Sequence, residues 1–216
     1  PDSETGYNVW INESLDYNVV ADAMLEDYYG LDKWFKPEVN LKLNIKPIPG
    51  LNYQQVVGYE NRQWELHQYW PSTHRSEIDN SRKGHAHLAF SKTENLTSEG
   101  YFSYVKDFKG GHNLNATAGY SYFEVNGENF GMDNYNFSVD GIKYWDIGQG
   151  SYLTDGKAGM SSGKSVTERL FSFFARANYS YQDKYMLSAS IRHEGSSKFA
   201  ADNRWANFWS ATAGWR

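Results

Sequence analysis

Cysteine is absent from this 216-residue chain, proline occurs only five times, and no apolar run approaches the length of a membrane-crossing helix. The first absence removes any disulfide framework. The second leaves few residues that interrupt strands, and the third excludes helical spans. A basic excess is also missing. The chain has 21 Lys and Arg against 26 Asp and Glu, a net charge of −5, and no basic stripe to meet the phosphates of a nucleic acid. Nor is there an initiating methionine or the apolar core of a secretory signal, because Pro1 leads straight into Asp2, Ser3 and Glu4. That opening predicts an internal stretch of a longer protein.

Aromatic residues are plentiful at 17%, yet mean hydropathy is strongly negative. A packed soluble core fits that pairing poorly. An outer-membrane barrel has it, through a thin apolar band, Tyr and Trp girdles, a polar lumen and long hydrophilic loops. The last forty residues alternate with a period of two. Phe173, Ala175, Ala177, Tyr179 and Tyr181 oppose Arg176, Asn178, Ser180 and Gln182. After a tight turn at 182–184, Tyr185, Leu187, Ala189 and Ile191 oppose Ser188, Ser190 and Arg192. Further on, Trp209, Ala211, Ala213 and Trp215 oppose Ser210, Thr212, Gly214 and Arg216. Alternation alone does not separate a lipid-facing side from a core-facing one, so a soluble carbohydrate-binding β-sandwich remains the alternative.

Earlier segments carry the same pattern less regularly. A short helix is expected over 14–29, with Ser14 as N-cap and Gly30 as stop. A strand is expected over 34–46, a turn at 47–50 and a return strand over 51–63. A long polar segment covers 64–95, with a strand extension at 85–91. A descending strand over 96–108 turns at 109–111 and rises over 112–125, and 126–165 reads as an extended loop. Short turns therefore alternate with long connections, as periplasmic turns alternate with outer loops.

Several motifs have plain explanations. Residues 158–165 fit a permissive phosphate-binding loop, but no strand-then-helix context surrounds them. His85 and His87 share a face and with His74 suggest a metal, yet a converging third or fourth ligand is not evident, so no metal site is assigned. The Asp and Asn cluster over 133–140 lacks EF-hand spacing. Five Asn-x-Ser/Thr triplets follow from composition. No nucleophile elbow or triad spacing is present, so neither an enzyme nor a cofactor is expected.

The run 175–192 with Asp183, Lys184 and Tyr185, then Arg192, Gly195, Ser196, Ser197 and Phe199, then Asn203, Trp205, Gly214, Trp215 and Arg216 resembles the barrel signature of SusC/RagA-type TonB-dependent transporters. Glu194, Ala206 and Trp209 depart from the usual Asp, Gly and Pro. The resemblance implies about seven antiparallel transmembrane strands of a 22-stranded barrel over 34–216, preceded by an extracellular loop over 1–33. It implies a plug domain and TonB-binding box outside these residues, and a Gram-negative outer-membrane location. The expected partners are a SusD-like surface lipoprotein, the TonB complex acting through the plug, outer-membrane lipid, and an oligosaccharide or peptide cargo. Lys42, Asn44, Asn115, Arg176, Asn178, Ser188 and Arg192 are expected on the lumen wall. Loop aromatics and polar groups that stack on sugars or bond to peptides are candidate cargo contacts: Trp64, Tyr69, Trp70, His74, Arg75, Tyr144, Trp145 and Asp146. Gly195 is expected to supply φ freedom at a turn, with Arg192 paired to a carboxylate.

Overall fold

The computed structural model describes residues 19–216. Its elements are α1 (Val19–Leu25), β1 (Asp27–Phe35), β2 (Glu38–Asn44), β3 (Leu51–Trp70), α2 (Arg75–Asp79), β4 (His85–Phe108), β5 (His112–Tyr135), β6 (Gly159–Lys164), β7 (Glu168–Tyr181), β8 (Tyr185–Ser196) and β9 (Trp205–Trp215). All nine strands belong to one sheet of order β1-β3-β4-β5-β7-β8-β9, with β2 also on β3 and β6 also on β5. The pairs β2·β3, β5·β6, β5·β7, β7·β8 and β8·β9 are antiparallel. The described residues form two compact units. One, the band unit, holds 34–61, 93–127 and 165–216; the other, the loop unit, holds 19–33, 62–92 and 128–164.

In the band unit, register turns the sequence alternation into rungs, because directly opposed residues share a face. One face carries His112, Tyr181, Tyr185 and Trp215, then Leu114, Tyr179, Leu187 and Ala213, then Ala116, Ala177, Ala189 and Ala211. Next come Ala118, Ala175, Ile191 and Trp209, then Tyr120, Phe173, His193 and Asn207, and finally Tyr122, Phe171, Gly195 and Trp205. An alanine and leucine band thus lies between aromatic rungs. The ten-residue step from His112 to Tyr122 measures about 33 Å along the strand, or about 25 Å of depth at barrel tilt, the height of a transmembrane apolar band. This face is uncovered: Trp209 is 79% exposed, Trp215 77% and Leu187 56%.

Tight connections fix the register. Gln182 and Asp183 both take φ near +51°, and Lys184 N–H donates to Tyr181 O at 3.0 Å, a type I′ turn matched to strand twist. At the β2–β3 turn Gly50 has φ +92°, and a Cβ there would lie 2.1 Å from the Val105 carbonyl oxygen, so the position admits only glycine.

Several expected boundaries are corrected. The strand expected over 34–46 is two, because Pro37 separates β1 from β2, and β1 occupies part of the stretch assigned to loop before residue 34. The helix shrinks to α1; residues 14–18 lie outside the described residues. The extension at 85–91 and the strand at 96–108 are one 24-residue strand, β4. The loop expected over 126–165 instead contains the end of β5, two 3-10 turns and β6. Residues 159–164 of the phosphate-loop lookalike are strand β6, paired with β5 from Asp133 to Glu128.

Candidate functional site

The opposite, polar face of the band unit gathers the residues expected on a lumen wall. Asn115, Asn178, Ser188 and Thr212 form one rung, and Thr117, Arg176, Ser190 and Ser210 the next. Arg192 follows, in register with Phe174 and Phe208. On β2, Lys42 stands opposite Gln54 and Asn44 opposite Asn52. Short polar side chains bond across the strands. Ser188 Oγ donates to Asn178 Oδ1 at 2.7 Å, and Ser190 and Ser210 hydroxyls meet at 2.8 Å. Gln54 Nε2 donates to Asn40 Oδ1 at 3.1 Å while Tyr101 OH donates to Gln54 Oε1 at 2.9 Å. Arg192 Nε donates to Glu194 Oε2 at 2.6 Å, and its Nη2 reaches Ser121 Oγ at 3.4 Å. A shallow, largely apolar concavity brings Val105 and Met186 beside Asp107, Asn115, Asn178 and Ser188.

Polar atoms on the apolar face are satisfied locally. Gln55 lies opposite Leu41, and its Oε1 accepts from Tyr53 OH at 2.6 Å and Tyr120 OH at 3.0 Å. Its Nε2 donates to Ser98 Oγ at 3.1 Å. A polar side chain on a hydrocarbon-facing surface is tolerable when every hydrogen-bonding group has such a partner.

The loop unit has its own core of Tyr69, Ala86, Phe137 and Tyr144, packed by Leu88, Ile142 and Ile147. Asp140 knots it, accepting from Tyr69 OH at 2.7 Å, Ser72 N–H at 3.0 Å and Ser72 Oγ at 2.7 Å. Asn134, 3% exposed, donates to the carbonyls of Ile147 and Gly150. His85 stacks between Trp70 at 4.6 Å and Tyr135 at 4.2 Å. Asp133 Oδ1 lies 2.8 Å from both His85 Nε2 and His87 Nδ1, so the two histidines share one carboxylate oxygen. Burial holds the His85 pKa below its ordinary value against the pull of Asp133. Burial and the bond to Asp140 raise that of Tyr69.

All eight candidate cargo contacts fall in the loop unit, in unequal settings. Tyr69 and Tyr144 are corrected to core residues, 2% and 7% exposed, because their rings fill the packing described above. His74 caps α2, accepting from Ser76 N–H, and its Nε2 lies 3.5 Å from Asp22 Oδ1. Arg75 pairs with Asp79 at 2.6 Å. Trp64 and Trp70 are half-buried, Trp70 under His85. Trp145, 76% exposed, and Asp146 stand on the surface beside Tyr144. Asp133, Asn134 and Asp140 stand out in the sequence only as part of an Asp and Asn cluster; their roles as hydrogen-bond partners of distant residues carry no sequence signal.

No family model matches the chain. It is 31% identical over 168 residues to TonB-dependent receptor P3 of Formosa agariphila, across 78% of this chain and 16% of that protein. To the TonB-dependent receptor SusC of Bacteroides thetaiotaomicron it is 37% identical over 62 residues, 29% of this chain and 6% of that one. The RagAB peptide importer in its closed-closed state superposes with a TM-score of 0.80 at 19% identity, over 91% of this chain and 21% of that chain. These matches support a fragment of a SusC-like TonB-dependent receptor. The chain spans about a sixth of the length of the P3 receptor it matches. Its one open sheet with an uncovered apolar face resembles a portion of a TonB-dependent transporter barrel and not the two packed sheets of the sandwich alternative. Asp183 and Lys184 are turn residues, and Gly195 is corrected from a turn glycine to a strand one: it lies near the end of β8, opposite Trp205 in the last pair with β9, and has no positive φ.

Proposed function

We propose that this chain forms part of the wall of a TonB-dependent importer in the outer membrane of a Gram-negative bacterium. The observation that carries the reading is the two-faced register: an apolar band about 25 Å deep between aromatic rungs on one side, and bonded Asn, Ser and Arg rungs on the other. The apolar face contacts lipid. The polar face, with Lys42, Asn44, Asn115, Arg176, Asn178, Ser188 and Arg192, lines a hydrated lumen against a plug drawn by the TonB complex. Trp145 and Asp146 in the loop unit, together with the half-buried Trp64 and Trp70, are the groups offered to an oligosaccharide or peptide under a SusD-like lipoprotein lid. Transport of this kind makes and breaks no bond in its cargo.

Cysteine labelling tests it, with no native thiol among these 216 residues and any cysteine elsewhere in the receptor replaced by serine. In the complete receptor, a fluorophore at Ala189→Cys is expected to be quenched by brominated lipids, and one at Ser188→Cys to react with water-soluble maleimide and escape that quenching. Equal behaviour at these adjacent positions would refute the wall.

A further inference from the structure

The cations of the band unit are unevenly treated at its two ends. Away from the tight turns, Lys36 pairs with Glu60 at 3.0 Å, Arg169 with Glu124 at 2.8 Å, Arg192 with Glu194 at 2.5 Å and Lys198 with Glu168 at 2.7 Å, while Arg204 donates to the Phe199 carbonyl at 3.3 Å. At the turn end, Lys46, Lys106, Lys109 and Lys184 have no carboxylate partner among the described residues. Two carboxylates, Asp107 and Asp183, are near them in sequence, and Asp107 lines the concavity beside Asn115.

Placement gives Lys106 and Lys184 a common setting. Phe102 packs on Tyr53 at 4.9 Å, and Tyr53 stands opposite Leu43 on the apolar face. Alternation along β4 carries Lys106 and Phe108 to the same face. Lys106 Nζ lies 5.3 Å from the Phe108 ring centroid, and Lys184 Nζ 5.6 Å from that of Tyr185. Both rings are well exposed. An ammonium held against an interfacial ring, with its aliphatic stem along apolar surface, sits at head-group depth.

We propose that this turn-end girdle is a docking surface for anionic phospholipid head groups of the leaflet that faces the tight turns. The inference rests on the membrane-wall reading. Charge complementarity selects the occupant. Acyl chains against Leu114, Leu187 and Ala213 bring a head-group phosphate to the level of Lys106 and Lys184. A zwitterionic lipid cancels that phosphate with its own amine, whereas an anionic lipid leaves it for the lysines. Each lysine near the surface then adds about a fivefold preference.

The test uses the complete receptor in phosphatidylethanolamine vesicles with and without phosphatidylglycerol, reading enrichment of phosphatidylglycerol in the annular lipid. Enrichment is expected in the wild type, falling as salt rises. In a Lys106→Gln/Lys109→Gln/Lys184→Gln variant it should fall about fivefold per lysine removed, and in a Lys36→Gln/Lys198→Gln control it should stay unchanged. Equal enrichment in wild type and triple variant, equal loss in the control, or indifference to salt overturns the proposal. Should the triple variant fail to fold, the wild-type salt series decides alone. Failure of the receptor to insert even into zwitterionic vesicles would instead defeat the wall reading on which this one rests.

Discussion

Gly195 shows how a single residue's role depends on what lies across the sheet. It stands opposite Trp205, whose indole would lie 2.7 Å from any added Cβ and which stacks on His193 at 4.7 Å with the rings 7° apart. The missing side chain is therefore the seat of the tryptophan, which closes the aromatic rung at the far end of the band. Gly195→Ala is expected to displace that ring at a cost of about 1–3 kcal/mol, the usual penalty of overpacking. Thermal unfolding of the complete receptor in detergent, followed by loss of heat-modifiable migration, measures it. Adding Trp205→Ala should shrink the cost, and an unchanged cost would refute the contact. The motif made Gly195 conspicuous in the sequence, but the reason for a glycine there is supplied only by a residue ten positions later.

At the scale of elements, legibility followed the environment of each strand. Strands β7, β8 and β9 were readable because lipid-facing and polar positions alternate along them. Strand β1, with Asp27, Asp32 and Lys33 among Tyr28, Tyr29 and Trp34, shows no such alternation. It is held to β3 by pairs such as Arg62 to Asp32 at 2.6 Å and Lys33 to Glu65 at 2.8 Å. Strand β6, Gly-Met-Ser-Ser-Gly-Lys, has little β propensity and is strand through its pairing with β5. Where β4 and β5 enter the loop unit, His85, His87 and Asp133 tie the two together, and the burial of His85 makes that tie sensitive to pH. Burial keeps the folded pKa of His85 below the unfolded value. The unfolded chain therefore takes the proton first, and stability that is full above about pH 6.5 is lost as pH falls below it. Glu77 and Asp133 favour the charged form and Arg82 opposes it, all weaker than burial. Hydrogen exchange at the amides of Ala86 and Tyr135, corrected for intrinsic rate, is expected to accelerate on acidification. His85→Gln should remove the pH-dependent part, and flat protection in the wild type would refute it.

For the whole molecule, the sheet path ends at β1 and β9, and β2 and β6 each pair with a single strand, so among the described residues several strands present unpaired backbone groups. The apolar face meanwhile has only solvent against it in water, with Trp209, Trp215, Leu187 and Ile191 all exposed. Both features demand company, either neighbouring strands and lipid or another chain. These 216 residues expressed alone are expected to sediment as aggregate in buffer and to disperse in detergent. A monodisperse β-rich monomer in buffer would contradict the wall.

What the sequence determined by itself is the local physics: two-residue periodicity, tight turns at 109–111 and 182–184, and polar and apolar sets that cannot share a face. Those follow from near-neighbour sterics and solvation, which a linear string encodes directly. Tertiary structure decided the rest, because it depends on pairs far apart in the chain. It set the rung that joins Ala116 to Ala177, Ala189 and Ala211, the carboxylate of Asp133 shared by two histidines, and the retreat of Tyr69 and Tyr144 into a core. It also left the turn-end lysines without carboxylate partners among the described residues, a fact of register and geometry that composition does not carry.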